Sequence, residues 1–345
     1  MPRTINLSKP RTLTLEELDI IGLLFETYPD KKSFSEGYYQ LQFQGSPLEI
    51  SLKDGTAIRV SRRDPQKGDR CYFCTKDTIG EGGVGTAHEA VKLKFFKDCH
   101  SKQSTISPRL YAVKKSNSSS LEDEAEFAAK LDYMHAKPLM VDEKTYYLVM
   151  EKFNVKPIMT LEEHLDFSLS FLQCLKNLHE HGIIHCDLQT GNRLHMGNIL
   201  FDGKRVCLID FNNSRELYVD DESGGINIYL MQRDLYDWKR SVEGITKQFN
   251  GKDRADVVQT FEEFFIRPHI ARLMTDDTQK MWRQKKFKES FSNFGKKEEY
   301  YQLFNQAVND FSGLIQDLKT EHQQRILSER IAEDNNLGGL YIANP

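Results

Sequence analysis

LQCLKNLHEHGIIHCDL (172–188) and NILFDGKRVCLIDF (198–211) are the two stretches whose reading decides the fold. The first closes an apolar stripe in which Leu165, Leu169, Leu172, Leu175 and Leu178 recur at helical spacing, until Gly182 breaks it. The second predicts a strand hairpin over 198–210. Asp202-Gly203 supplies its turn, so Asn198 at the start of one strand and Asp210 at the end of the other meet at one hairpin end. An amide oxygen and a carboxylate converging there form a hard-oxygen site, of the kind Mg²⁺ takes together with substrate phosphates. Asp187 follows a helix, a turn and His185-Cys186, a position from which it can accept a proton from a bound hydroxyl. The plainer alternative for Asp187, Asn198 and Asp210 is turn and cap duty, and their joint spacing argues against it.

Upstream of this stretch the pattern is β-rich. Strands are expected near 71–78, 86–96, 109–115 and 145–151, around one helix. That helix begins after SNSSS (116–120), where Ser120 or a neighbour caps it and Glu122, Asp123 and Glu124 favour its first turn. Gly80, Gly82 and Gly85 space the turn between the first two strands as G-x-G-x-x-G, whose backbone N–H groups can approach phosphate oxygens. A strand follows it where a dinucleotide-binding fold needs a helix, and an ordinary glycine-rich hairpin is the remaining alternative. Lys114 ends the apolar strand Tyr111-Ala112-Val113. Glu124, with Phe127, Ala128 and Leu131 at i+3, i+4 and i+7, lies beside the buried face of the following helix. A carboxylate there can hold the lysine against an α/β-phosphate, and Glu126 is the second choice for that partner.

Residues 1–70 read as a helix plus strands. Thr14-x-x-Glu17 is a capping box ahead of Leu18, Ile21 and Phe25, and Pro29 stops the helix. Tyr39, Leu41 and Phe43, then Leu48, Ile50 and Leu52, alternate with polar residues, and Asp54-Gly55 is expected to turn the chain back through Ile58 and Val60. The polar run RRDPQKGDR (62–70) ends this part, and after about 230 the pattern is amphipathic helix. A β-rich half joined to a larger helical half is the expected α+β architecture.

Composition narrows the function classes. Across 345 residues, 47 Lys and Arg against 51 Asp and Glu leave a net charge of −4, which excludes charge-driven nucleic-acid binding by the whole chain. No apolar run approaches the ~18 residues that a membrane span needs. MPRTINLSKPRT (1–12) lacks the apolar region of a secretory signal. Six cysteines are too few for a disulfide scaffold and point to a reduced cytoplasm, with Cys71-x-x-Cys74 read as two residues of one strand.

Taken together, the glycine turn, YAVK (111–114), HCD (185–187), NIL (198–200) and DFN (210–212) resemble the glycine loop, V-A-I-K, H-R-D, N-I-L and D-F-G of the protein-kinase family. The resemblance runs from about 71 to 240. It implies a bilobal fold, with an extension over 1–70, a β-rich lobe over 71–152 and a helical lobe over 153–345. It also implies ATP and Mg²⁺ as cofactors and a serine or threonine of a protein as acceptor. Gly80, Gly82, Gly85 and Lys114 would then face the phosphates. Ala112 and Leu200 would sandwich the adenine, Met150 would guard the rear of the pocket, and the backbone of Glu151 to Phe153 would bind the adenine edge.

Departures qualify what carries over. The family spacing selects Asn192 as the metal asparagine, whereas hairpin geometry selects Asn198, and an insertion within QTGNRLHMG (189–197) reconciles them. Cys186 stands where the family has the arginine that holds an activation-loop phosphate, so control of that kind is expected to be absent. No A-P-E follows Asp210, and Asp234-Leu-Tyr-Asp-Trp resembles the start of the long buried helix of the large lobe. Such a trimmed kinase resembles divergent eukaryotic-like kinases among bacterial effectors, which act in a host cytoplasm, and also small-molecule or lipid kinases; a scaffold without transfer is the third reading. The stretch 280–297, with Lys280, Arg283, Lys285, Lys286, Lys288, Lys296 and Lys297 among aromatic residues, suits a phosphoinositide or inositol phosphate, or else a solvated helix face.

Overall fold

The computed structural model describes residues 2–60, 70–82, 85–94, 105–131, 139–142, 145–188, 197–217, 228–267, 270, 273 and 297–340. The chain divides into two compact units, Met1–Phe153 and Asn154–Pro345. Both are mixed in secondary structure, so the protein is α+β.

The first unit opens with β1 (Arg3–Asn6), α1 (Leu15–Thr27), β2 (Ser33–Phe34), β3 (Gly37–Phe43), β4 (Ser46–Lys53) and β5 (Gly55–Val60). The capping box starts α1: the Thr14 hydroxyl accepts from the Glu17 N–H at 3.2 Å, and the Glu17 carboxylate accepts from the Thr14 N–H at 2.7 Å. β3 and β4 pair antiparallel across Gln44-Gly45, both in the left-handed region at φ 51° and 77°, which suits a two-residue hairpin turn. β1 runs parallel to β4 and completes a three-stranded sheet. The turn expected at Asp54-Gly55 does not make a hairpin. β4 and β5 belong to different sheets, and Asp54, at φ 57°, is the corner where the chain changes sheet. Gly55 fits that corner because a Cβ there would lie 2.4 Å from the Cys74 carbonyl oxygen.

β5 continues into a seven-stranded antiparallel sheet with β6 (Arg70–Gly82), β7 (Gly85–Lys94), β8 (Thr105–Ser116), β9 (Leu139–Asp142) and β10 (Thr145–Glu151), in the order β2-β5-β6-β7-β8-β10-β9. α2 (Ser120–Lys130) lies between β8 and β9 in sequence. Ser119, not Ser120, is its N-cap residue and makes no side-chain cap bond, while Ser118 Oγ accepts from the Ser120 N–H at 3.2 Å. Period-two alternation sorts β10. Tyr147 and Val149 join Tyr72, Tyr111 and Val113 in one apolar cluster, whereas Leu148 joins Leu121, Ala125 and Ala128 of α2 in another. Cys71 belongs to the cluster built around α1 and Cys74 to the Tyr72–Tyr111 cluster. The two thiols therefore serve separate apolar regions, and burial pushes both above their ordinary values.

The second unit contains α3 (Leu161–Glu180), β11 (Ile183–Ile184), β12 (Ile199–Phe201), β13 (Val206–Leu208), β14 (Arg215–Glu216), α4 (Ile228–Thr246), α5 (Gly251–Phe265) and α6 (Lys297–Leu340). α3 begins at the Thr160/Glu163 capping box and ends at Gly182, whose φ of 70° a β-carbon would strain. Trp238 of α4 sits fully buried, with Phe264, Phe265 and Phe311 edge-on around it, and its indole N–H donates to the Ser168 carbonyl at 2.9 Å. α6 lays Tyr300, Phe304, Phe311, Ile315 and Leu318 against this core. Among the described residues, no helix is long and apolar enough to cross a membrane. Asn192 and 280–296 of the basic stretch lie outside the described residues.

Candidate functional site

In the first unit, sheet register places the lysine. Lys114 of β8 is directly opposite Leu148 of β10, and Leu148 packs on α2, so Lys114 shares the face that α2 covers. Its ammonium donates to Glu124 Oε2 at 2.7 Å, with the two side chains 12% and 1% exposed. Glu126 instead pairs with Lys130, one helical turn on, at 3.3 Å and with its side chain 67% exposed. The choice that sequence left open is thus settled geometrically in favour of Glu124. Ala112 is buried and opposite Met150, and Met150 packs against the α2 cluster.

The glycine turn joins β6 to β7, with Gly82 opposite Gly85 as the last described pair. Its glycines have different reasons. A Cβ on Gly85 would come within 2.2 Å of the Lys115 carbonyl oxygen on β8, so close strand approach demands glycine there. Gly80 meets only Ala87 Cβ, at 3.9 Å, and strand packing does not require it. At the end of β10, Glu151 pairs with Arg109 at 3.8 Å, and the Lys152 N–H donates to the Leu110 carbonyl.

In the second unit, β12 and β13 pair with Ile199 opposite Leu208, and the Ile209 N–H donates to the Asn198 carbonyl at 2.9 Å. Asn198 and Asp210 therefore flank one end of the hairpin, and Leu200 is half-buried within it. Asn198 Nδ2 donates to the Asp187 carbonyl at 2.8 Å and reaches its Oδ2 at 3.4 Å. Asn213 Nδ2 donates to the same Oδ2 at 3.0 Å. Two amides thus orient one carboxylate. Asp210 adopts the left-handed conformation, φ 66° and ψ 65°, and its Oδ1 accepts from Asn212 Nδ2. Non-glycine residues are rare in that region and concentrate at functional turns.

A second strained residue, Cys186 at φ 61°, precedes Asp187. The loop is clamped from α4: Asp234 Oδ2 accepts from the His185 N–H at 2.8 Å and Oδ1 from the Cys186 N–H at 2.9 Å, with Asp234 fully buried. His185 Nε2 donates to the Ile209 carbonyl at 3.0 Å, which ties this loop to the residue before Asp210. Burial holds the His185 imidazole below its ordinary value and pushes the Cys186 thiol up to about 12, so the thiol is neutral.

Asp234 and Asn213 are contributors that sequence reasoning did not assign. The signal for Asp234 was present: it falls with Met231, Leu235 and Trp238 at i, i+3, i+4 and i+7, an acid set within the buried stripe of a helix.

Asn198 and Asp210 suit a metal with oxygen preference. Asn198 Nδ2 is engaged with Asp187, which leaves its Oδ1 as the acceptor atom, at the same hairpin end as Asp210. Among the described residues no group of three or more His, Cys, Asp or Glu side chains forms a cage. A cation here would need its remaining ligands from outside these side chains, a demand that suits Mg²⁺ better than Zn²⁺.

Comparison with models of known protein families finds none that matches the chain, and comparison with curated proteins finds no match either.

Proposed function

We propose that the chain is an ATP- and Mg²⁺-dependent phosphotransferase with the bilobal architecture of the protein kinases. The observation that carries this reading is the Lys114–Glu124 pair, 2.7 Å apart and largely shielded, with the lysine on β8, the strand that follows the glycine-turn hairpin β6–β7. A half-buried lysine that is oriented by a buried helix carboxylate and lies beside a glycine hairpin suits an α/β-phosphate. The oriented Asp187 and the Asn198–Asp210 hairpin end support the same reading.

In this mechanism Lys114 binds the phosphates and Glu124 fixes its direction. The Asp187 carboxylate, aimed by Asn198 and Asn213, takes up the proton of the acceptor hydroxyl. Asn198 and Asp210 would hold Mg²⁺, which supplies charge stabilisation at the transferring phosphoryl group when bound. A protein serine or threonine is the proposed acceptor. A small-molecule or lipid acceptor is the second reading, favoured by the missing A-P-E after Asp210. Incubation with γ-labelled ATP, Mg²⁺ and candidate acceptors tests the proposal: label must appear with the wild-type chain and be lost in Asp187→Asn.

A further inference from the structure

The first turn of α6 grips the residue that holds the Asp187 loop in place. Tyr300 Oη lies 3.1 Å from His179 Nδ1, and His179 Nε2 lies 3.1 Å from Asp234 Oδ2, with all three residues fully buried. Both Asp234 oxygens accept from backbone N–H groups, so His179 Nε2 is the donor in its pair with Oδ2, and its Nδ1 shares the other bond with the tyrosine hydroxyl, which burial keeps protonated by pushing it well above its ordinary value. The next residue takes hold of the same histidine by its backbone: Tyr301 Oη donates to the His179 carbonyl at 2.6 Å. That carbonyl also accepts from the Gly182 N–H at 2.9 Å, in the turn that leads into β11 and the loop.

Continuous hydrogen bonds therefore run from α6 through His179 and Asp234 to the backbone N–H groups of His185 and Cys186. Asp234 Oδ2 receives both the His179 N–H and the His185 N–H, so the position of the ring and that of the loop are set by one oxygen. Further along, α6 is fastened to its neighbours. Lys319 pairs with Asp166 of α3 at 2.5 Å, and Arg325 pairs with Asp256 of α5 at 2.6 Å. The tyrosines are thus presented by a helix anchored independently of the loop.

We infer that the start of α6 is a positioning element for the Asp187 loop, acting through Tyr300 and Tyr301 on His179 and through His179 on Asp234. Tyr300, Tyr301 and His179 are positioning residues, and the two tyrosines are far in sequence from the Asp187 carboxylate. Docking of α6 sets how well ordered the loop is, and any partner that lifts the first turn of α6 lowers turnover without touching the nucleotide. The turnover part of this inference rests on the phosphoryl-transfer reading; the ordering part does not.

The test uses the full chain as Tyr300→Phe and Tyr301→Phe, each losing one hydroxyl. Amide hydrogen exchange at His185 and Cys186 reports loop order, and labelled-phosphate transfer reports activity. Losing one buried hydrogen bond should speed exchange at these two amides roughly three- to tenfold and lower kcat by a similar factor, with KM for ATP within about twofold. Ile315→Val, a buried α6 position distant from the tyrosines, is the control. It should lower the melting temperature and leave those two amides unchanged. Should Tyr300→Phe fail to fold, Tyr301→Phe carries the test, since Tyr301 is only partly buried. Unchanged exchange at both amides in the folded variants overturns the inference. Faster exchange in a chain whose wild type transfers no phosphate upholds the coupling and removes the phosphoryl-transfer reading instead.

Discussion

Removing the Lys114 ammonium takes the 2.7 Å ionic partner from a Glu124 carboxylate that is fully buried. Breaking a buried ion pair from one side costs about 3–5 kcal/mol, and the lower end applies here because the lysine end is 12% exposed. For a unit the size of Met1–Phe153, about 3 kcal/mol lowers the transition by roughly 6–12 °C. Lys114→Met should show that fall by scanning calorimetry at neutral pH. Adding Glu124→Gln removes the buried charge and should return about 2 kcal/mol, so the double variant is more stable than Lys114→Met alone. A Lys114→Met melt within ~2 °C of wild type, or strict additivity of the two substitutions, refutes the argument that this pair is buried and coupled.

Three more expectations follow from named contacts. Gly85→Ala should destabilise the first unit by about 1–3 kcal/mol because its Cβ would lie 2.2 Å from the Lys115 carbonyl, whereas Gly80→Ala should melt like wild type; equal melting temperatures contradict this. Asn198→Ala should reduce turnover far more than Asn192→Ala, since Asn198 holds Asp187, and the reverse order restores the family's short spacing. Burial, then Asp234, pushes Asp237 up to about 6. A carboxyl raised in the folded state stabilises below its unfolded pKa and loses that contribution as pH climbs through 6. Asp237→Asn should therefore flatten the decline in stability of the second unit between about pH 4 and 7, and parallel profiles refute it.

What sequence made legible was local. Thr14 and Glu17 cap a helix three residues apart, Asp202-Gly203 opens the four-residue turn of a short hairpin, and Lys114 and Glu124 are ten residues apart across one turn. Each of these follows from spacing that the backbone itself imposes. Asp54-Gly55 misled because a two-residue turn signal is blind to which strand pairs beyond it. β4 already had β3 and β1 as partners, which left β5 to the other sheet. Asp234 meets His185 from 49 residues away, and Tyr300 meets His179 from 121. Contacts at such separations arise only once α3, α4 and α6 have packed, and residue spacing carries no record of them.

The central claim is transfer of the ATP γ-phosphoryl group with Asp187 as the proton acceptor. Purified chain incubated with γ-labelled ATP and Mg²⁺, with and without a cell lysate, tests it directly. Label transferred to a protein hydroxyl by wild type, lost on chelation and in Asp187→Asn while that variant melts like wild type, is the result this account requires. No transfer to any protein, lipid or small molecule by folded wild-type chain, or equal transfer by Asp187→Asn, contradicts it.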